Sequence, residues 1–210
     1  MSTPRALRPG DRAPDLTLPA IIGDGDVSLA TYRGHSAVLL GLFRGLHCPF
    51  CRRQIFQLSG MHDTLAAMGI TALSVVNTPR ARAELYFRYH PARVVLLADP
   101  EARAHQAFGV PSVVPDASFE ATRINPTGEL PGAMHPMEAN SALNAKDGFV
   151  LTAVDEEVFA AHGTQLGGHF LIDRDGVVRW STIEAERGVS ELARFPNPLE
   201  ILTAARTLAP

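Results

Sequence analysis

Apolar and polar positions alternate along this chain in two rhythms, and the points where the rhythm changes predict its elements. The run HSAVLLGLF (35–43) is almost continuously apolar, as a strand covered on both faces requires. Beyond Pro49 the period lengthens. Phe50, Ile55, Leu58, Met61, Leu65 and Met68 recur at helical spacing, and Gly69 ends the helix they predict. ITALSVVN (70–77) predicts the next strand, and Thr78-Pro79 opens a helix through Tyr89. RVVLLAD (93–99) is a third buried run, and Pro100 starts a helix over EARAHQAFG, closed by Gly109.

Elsewhere the pattern is less regular. Pro4, Pro9 and Pro14 keep the opening residues extended, and LTLPAIIGDGDVSLATYRG (16–34) predicts two short strands around a Gly/Asp turn. Residues 110–150 carry Pro111, Pro115, Pro126, Pro131 and Pro136, together with Phe119, Met134, Met137 and Leu143. Large apolar groups do not suit a disordered linker, so this stretch reads as an ordered but irregular insertion. Thr152, with Asp155 three residues on, caps a helix over TAVDEEVFAAHG. GGHFLIDRDGVVRWSTIE (167–184) is a hairpin with an Asp-Gly turn, and PLEILTAARTLA (198–209) is a closing helix. Strand–helix–strand order points to an α/β sheet with helices on both faces. No internal repeat divides the chain, so residues 1–210 are expected to form one domain that includes the insertion.

Composition narrows the function. With 210 residues, 46% hydrophobic and 20% charged, the chain can build a sizeable core. A net charge of −3 suggests no nucleic-acid partner. No apolar run is long enough for a signal peptide or a spanning helix, so a cytoplasmic location is the expectation. In a reducing compartment, two close cysteines are more often reactive than structural.

Both cysteines lie in GLFRGLHCPFCRRQIFQL (41–58). A zinc site needs about four ligands, and none of the eight histidines supplies a second ligand-like spacing. No metal and no organic cofactor are expected, since two thiols carry two electrons by themselves. Cys48 falls where a strand ends and a helix starts, and free N–H groups there favour a thiolate. Cys51 lies three residues on along the same face, within reach of a disulfide. Arg44, Arg52 and Arg53 add positive potential, and His47 is a candidate for proton transfer or a plain loop residue.

The segments PGDRAPDLTL, VSLATYRG, VLLGLFRGLHCPFCRRQ, ALSVVN, VLLADP and HFLIDRDGVVRW fall in the order that resembles the thioredoxin-like superfamily. Within it they resemble the alkyl hydroperoxide reductase/thiol-specific antioxidant branch, the peroxiredoxin-like proteins, over about residues 8–110 and 165–185. The resemblance implies a thioredoxin-like α/β fold with a central mixed β-sheet flanked by helices. The strands near 37–43 and 70–76 should pair in parallel, with the final hairpin as antiparallel neighbour.

It also implies a thiol–disulfide oxidoreductase, coupled or not to peroxide reduction. A protein or small thiol would be the electron donor, and a disulfide or hydroperoxide the substrate. Two roles are open for the pair. In thioredoxin-like members the first cysteine attacks and the second resolves, which makes Cys48 the nucleophile. The peroxiredoxin pattern Pro-x-x-x-Thr-x-x-Cys instead lays Arg44 at the proline, Cys48 at the threonine and Cys51 at the peroxidatic position. The arginine that peroxiredoxins carry before the FLID strand is replaced by QLGGHFLID, as is the thioredoxin cis-proline. His169 in that stretch is a candidate to face Cys48, or a packed strand residue. The insertion is either a cover over the cysteines or a surface for a second copy of the chain. A non-catalytic thioredoxin-like binding module is the remaining alternative.

Overall fold

A computed structural model describes residues 5–208. Pro4, and Ala209 at the end of the expected last helix, lie outside them. A small antiparallel ribbon of β1 (Thr17–Pro19) and β2 (Asp26–Ser28) opens the chain. β3 (Ala37–Phe43) follows, with every residue buried. It leads into α1 (Pro49–Gly60) and α2 (His62–Ala67), then β4 (Ile70–Val76), α3 (Arg80–Tyr89), β5 (Val95–Ala98) and α4 (Arg103–Ala107). The insertion contributes α5 (Ala117–Ala121) and α6 (Pro136–Lys146). After it come α7 (Ala153–His162), the hairpin β6 (Gly168–Ile172) and β7 (Val178–Ile183), and α8 (Pro198–Arg206).

The five-stranded sheet runs β5-β4-β3-β6-β7. β3 and β4 pair in parallel from Ala37 opposite Ile70 to Phe43 opposite Val76. β6 joins β3 antiparallel, and β7 joins β6 antiparallel. This is the expected thioredoxin-like α/β fold with a mixed sheet. β3 has a neighbour on each edge, and because both of its faces are also buried its apolar run is continuous and not alternating. Its C-terminal end is therefore held rigidly, and the cysteines follow directly from it.

Three elements differ from the sequence expectation. The helix expected over 49–68 breaks at Met61, which at φ −90° and ψ 0° is both the C-cap of α1 and the N-cap of α2. The helix expected from Pro100 begins only at Arg103. Ala102 adopts a left-handed φ of 53°, and the buried Asp99 carboxylate accepts the Ala104 N–H at 2.7 Å. The insertion is more regular than its prolines suggested. Pro136 occupies the first helical position of α6, where a missing N–H is harmless, and His135 with Glu138 closes a capping box around it. Among the described residues no helix is long and apolar enough to cross a membrane.

Candidate active site

β3 delivers the chain into a four-residue loop, Arg44–His47, and Cys48 is the N-cap of α1. The loop turns at Gly45, with φ +143°; a Cβ there would approach Thr78 Oγ1 and Val158 Cγ1 to 3.0 Å. Only glycine fits both demands. Thr78 Oγ1 also accepts the Leu46 N–H at 3.1 Å, which ties the loop to the end of β4.

The Cys48 and Cys51 sulfurs lie at disulfide distance, with Cα atoms 5.3 Å apart. Cys48 Sγ also accepts the Cys51 N–H at 3.1 Å, in the place an N-cap oxygen would take. That donor and the helix dipole both favour negative charge on Cys48 once the pair is reduced. Pro49 at the first helical position leaves no competing N–H there. Cys51, one turn deeper, is wholly buried.

A cavity of about 350 Å³ opens against this helix end. Cys48 borders it and Cys51 does not. Its walls are mainly apolar: Phe50 comes from α1, Phe119, Ile124 and Met137 from the insertion, and Phe159 from α7. The insertion therefore covers the cysteine end of α1. The titratable groups around the space are Arg44, His47, Cys48 and Glu184.

His47 is buried, its ring edge-on to Phe159 with centroids 5.2 Å apart. Neither ring nitrogen has a hydrogen-bond partner among the described residues. Burial above all, and then the charge of Arg44, lower its pKa to about 3, so the imidazole is neutral near pH 7. Arg44 lines the cavity and is held by the Glu184 carboxylate at 2.7 Å and the Gln165 carbonyl at 3.2 Å.

Arg52 points elsewhere. It donates to Leu46 O at 2.6 Å, to Asn144 Oδ1 at 3.0 Å and to Asp147 at 2.7 Å, and lies 4.0 Å above the Phe149 ring. Asn144 in turn donates to the His47 carbonyl at 3.0 Å. Arg52 thus clamps α6 to the loop before Cys48 and does not line the cavity. Arg53 extends the clamp to Glu129 and Asp147. Replacing Arg52 by alanine would leave the buried Leu46 carbonyl and Asn144 side-chain oxygen without this donor, while the exposed Asp147 keeps Arg53. The expected loss is about 2–4 kcal/mol of stability, from two buried acceptors left unsatisfied, measured by urea unfolding. A change within about 0.5 kcal/mol would show that the clamp contributes nothing.

His169 also lies apart from the cavity. On β6 opposite Gly41, it packs edge-on against Phe43 and Phe195, with centroids 5.5 and 5.6 Å away. Burial lowers its pKa to about 3. The structure thus brings Arg44, His47 and Cys48 together around one space, with Cys51 behind, and sets Arg52 and His169 outside it. Glu184, Asn144 and Phe159 were not singled out by sequence reasoning. Nothing in the pattern separates Glu184 from the exposed acid Glu186 two residues on. Among the described residues, no three His, Cys, Asp or Glu side chains converge as a metal site would need.

The sequence profile of the AhpC/TSA family matches residues 9–181. An inferred peroxiredoxin of Mycobacterium tuberculosis is 31% identical over 112 residues, 52% of this chain and 68% of that protein. Among solved structures, a peroxiredoxin-like protein from Aquifex aeolicus superposes with a TM-score of 0.61 at 15% identity, covering 99% of this chain and 91% of the other. An inferred thiol:disulfide interchange protein DsbE from Chlorobium tepidum gives 0.55 at 19% identity, covering 95% and 99%. At those identities the two structures speak for the fold alone.

Proposed function

The chain belongs to the AhpC/TSA family and is a thiol-dependent oxidoreductase, and from that premise we propose that Cys48 is its nucleophile and Cys51 its resolving thiol. The observation that carries this reading is the placement of the Cys48 sulfur. It lies at the helix end, accepts a backbone N–H, and alone of the pair borders the cavity. The reduced Cys48 thiolate attacks one sulfur of a disulfide and expels the other as a thiolate. Cys51 then displaces the bound half, leaving the Cys48–Cys51 disulfide and two substrate thiols. With a hydroperoxide, attack on the terminal oxygen gives a sulfenic acid and an alcohol. Cys51 condenses with the sulfenic acid and releases water. A reducing thiol, of the kind used across the family, returns two electrons to the pair.

The cavity sets the substrate class. Its charged residues, Arg44 and Glu184, neutralise each other, His47 is neutral, and the remaining walls are largely apolar. Such a space suits a compact, uncharged, apolar substrate and suits the charged glutathione disulfide poorly. The insertion belongs to the same folded unit in this reading, since its residues wall the cavity and hold Arg52. With dithiothreitol as reductant, an aryl-alkyl hydroperoxide should exceed hydrogen peroxide in kcat/KM. A small apolar disulfide should likewise exceed glutathione disulfide, each by about tenfold or more. Equal rates within both pairs would remove the cavity from specificity. No turnover with any of the four, and a pair that never oxidises, would favour a binding module.

The alternative peroxidase order, with Cys51 attacking first, has less support. Both thiols are buried, but Cys51 does not border the cavity, and a thiol stands where the pattern has a threonine hydroxyl.

A further inference from the structure

Glu184 follows the last residue of β7 and is buried, its side chain without solvent contact. Its carboxylate is saturated from three directions. One oxygen accepts from Arg44 at 2.7 Å and from the Ala193 N–H at 2.6 Å; the other accepts the Gly167 N–H at 2.7 Å. Ala193 reaches it from a left-handed φ of 60°, a strained conformation for a residue with a Cβ. Two loops and one strand end are thus fastened to a single buried charge, at a site that also borders the Cys48 cavity.

The pair is asymmetric. The Arg44 side chain keeps 10% of its surface open, whereas that of Glu184 keeps none. The carboxylate therefore stands behind the guanidinium. Both residues border the space shared with Cys48, and the guanidinium is the less covered of the two. A free arginine on this loop would swing to water, and its charge would be screened. We propose that Glu184 is a positioning residue: it holds Arg44 against the cavity and sets how much positive field the Cys48 sulfur receives. This rests on the reading of Cys48 as the nucleophile. The other titratable group lining the space is His47, neutral near pH 7, and Cys51 lies behind the sulfur. Arg52, on the same helix, is turned toward the insertion.

The proposal fixes an order. In Glu184→Gln the amide oxygen and the Gln165 carbonyl still accept from Arg44 and hold it in place, but the opposing charge is gone, so the Cys48 thiolate is more stable than in the natural protein. In the double variant Arg44→Met/Glu184→Gln both charges are gone, and the thiolate is less stable than in the natural protein. The double variant also keeps the test open if the single one does not fold, because it leaves no buried charge unpaired. The measurement is the pH dependence of alkylation by iodoacetamide in the reduced Cys51→Ser background, with the labelled cysteine located by mass spectrometry. At a pH below the thiol pKa, Glu184→Gln should react about tenfold faster than the parent, and the double variant about tenfold slower. A residue that merely braces the fold would lower stability and leave the thiol titration in place. Labelling at Cys48 with any other order, or no shift in the double variant, overturns the role of Glu184 alone. A Cys48 that resists alkylation in every variant, while Cys51 is labelled in a Cys48→Ser protein, overturns the nucleophile assignment and this proposal with it.

Discussion

Replacing Cys48 by serine is expected to abolish turnover with every disulfide and hydroperoxide, while Cys51→Ser retains the first half of the reaction. The serine hydroxyl is not ionised near neutral pH, so neither the N-terminal N–H groups of α1 nor Arg44 can make it a nucleophile. The loss in kcat/KM should be about 10⁴-fold or more. Cys51→Ser removes only the group that resolves the adduct. Cys48 should then be trapped as a stable mixed disulfide with a small disulfide substrate, visible as a mass increase that dithiothreitol reverses. The opposite pattern would overturn the order: peroxide-dependent sulfenic acid on Cys51 in Cys48→Ser, with Cys48 inert in the converse variant. That result would require the insertion to open wide enough to reach a thiol that is now fully covered.

Mild acid should unfold the protein, because three of its histidines are buried in the neutral form. His47, His105 and His169 are each almost without solvent exposure, and burial lowers the pKa of each from 6.5 to about 3. The unfolded chain binds a proton at each of these positions below pH 6.5, and the folded chain does not until about pH 3. Their contribution to stability is therefore complete above pH 6.5 and is lost as pH falls toward 3. Each histidine removes about 1.4 kcal/mol per pH unit well below 6.5, so the three together remove about 6 kcal/mol by pH 5. Against a typical stability of 5–15 kcal/mol, these three groups alone place the midpoint between about pH 5 and pH 3. Circular dichroism and Trp180 fluorescence, followed from pH 7 to 3, would locate it. His105→Gln removes one titrating group away from the cavity and should make the loss of stability with pH shallower. A urea midpoint that stays constant from pH 7 to pH 5 would show that these imidazoles already carry protons in the folded state.

How much of this was legible in the sequence follows from the range over which each signal acts. Period and capping are local, and they located the strands of the sheet and the helix that starts at Pro49. They also placed Cys48 at the junction of strand and helix. A continuous apolar run is readable because β3 is covered on both faces, and a proline after Cys48 because the first helical turn tolerates it. The same locality misleads where a proline serves as a start: the pattern around Pro136 predicts irregular chain, and Pro136 is the first residue of α6. It also left side-chain direction open, so Arg52 stood as a neighbour of the cysteines until the fold turned it toward Asn144 and Asp147.

What only the tertiary structure decided was the company each charged group keeps. Arg44 and Glu184 are 140 positions apart, and Arg52 and Asn144 are 92 apart. The wall of Phe119, Ile124 and Met137 over Cys48 exists because the insertion folds back across α1. The choice of neutral over charged imidazole at His47 and His169 depends on desolvation by elements remote along the chain. Sequence pattern determined the scaffold and the place of the thiols, since hydrogen-bond periodicity and apolar burial act over a few residues. Which thiol faces a substrate, and in what field, depends on distances through space that no local spacing encodes.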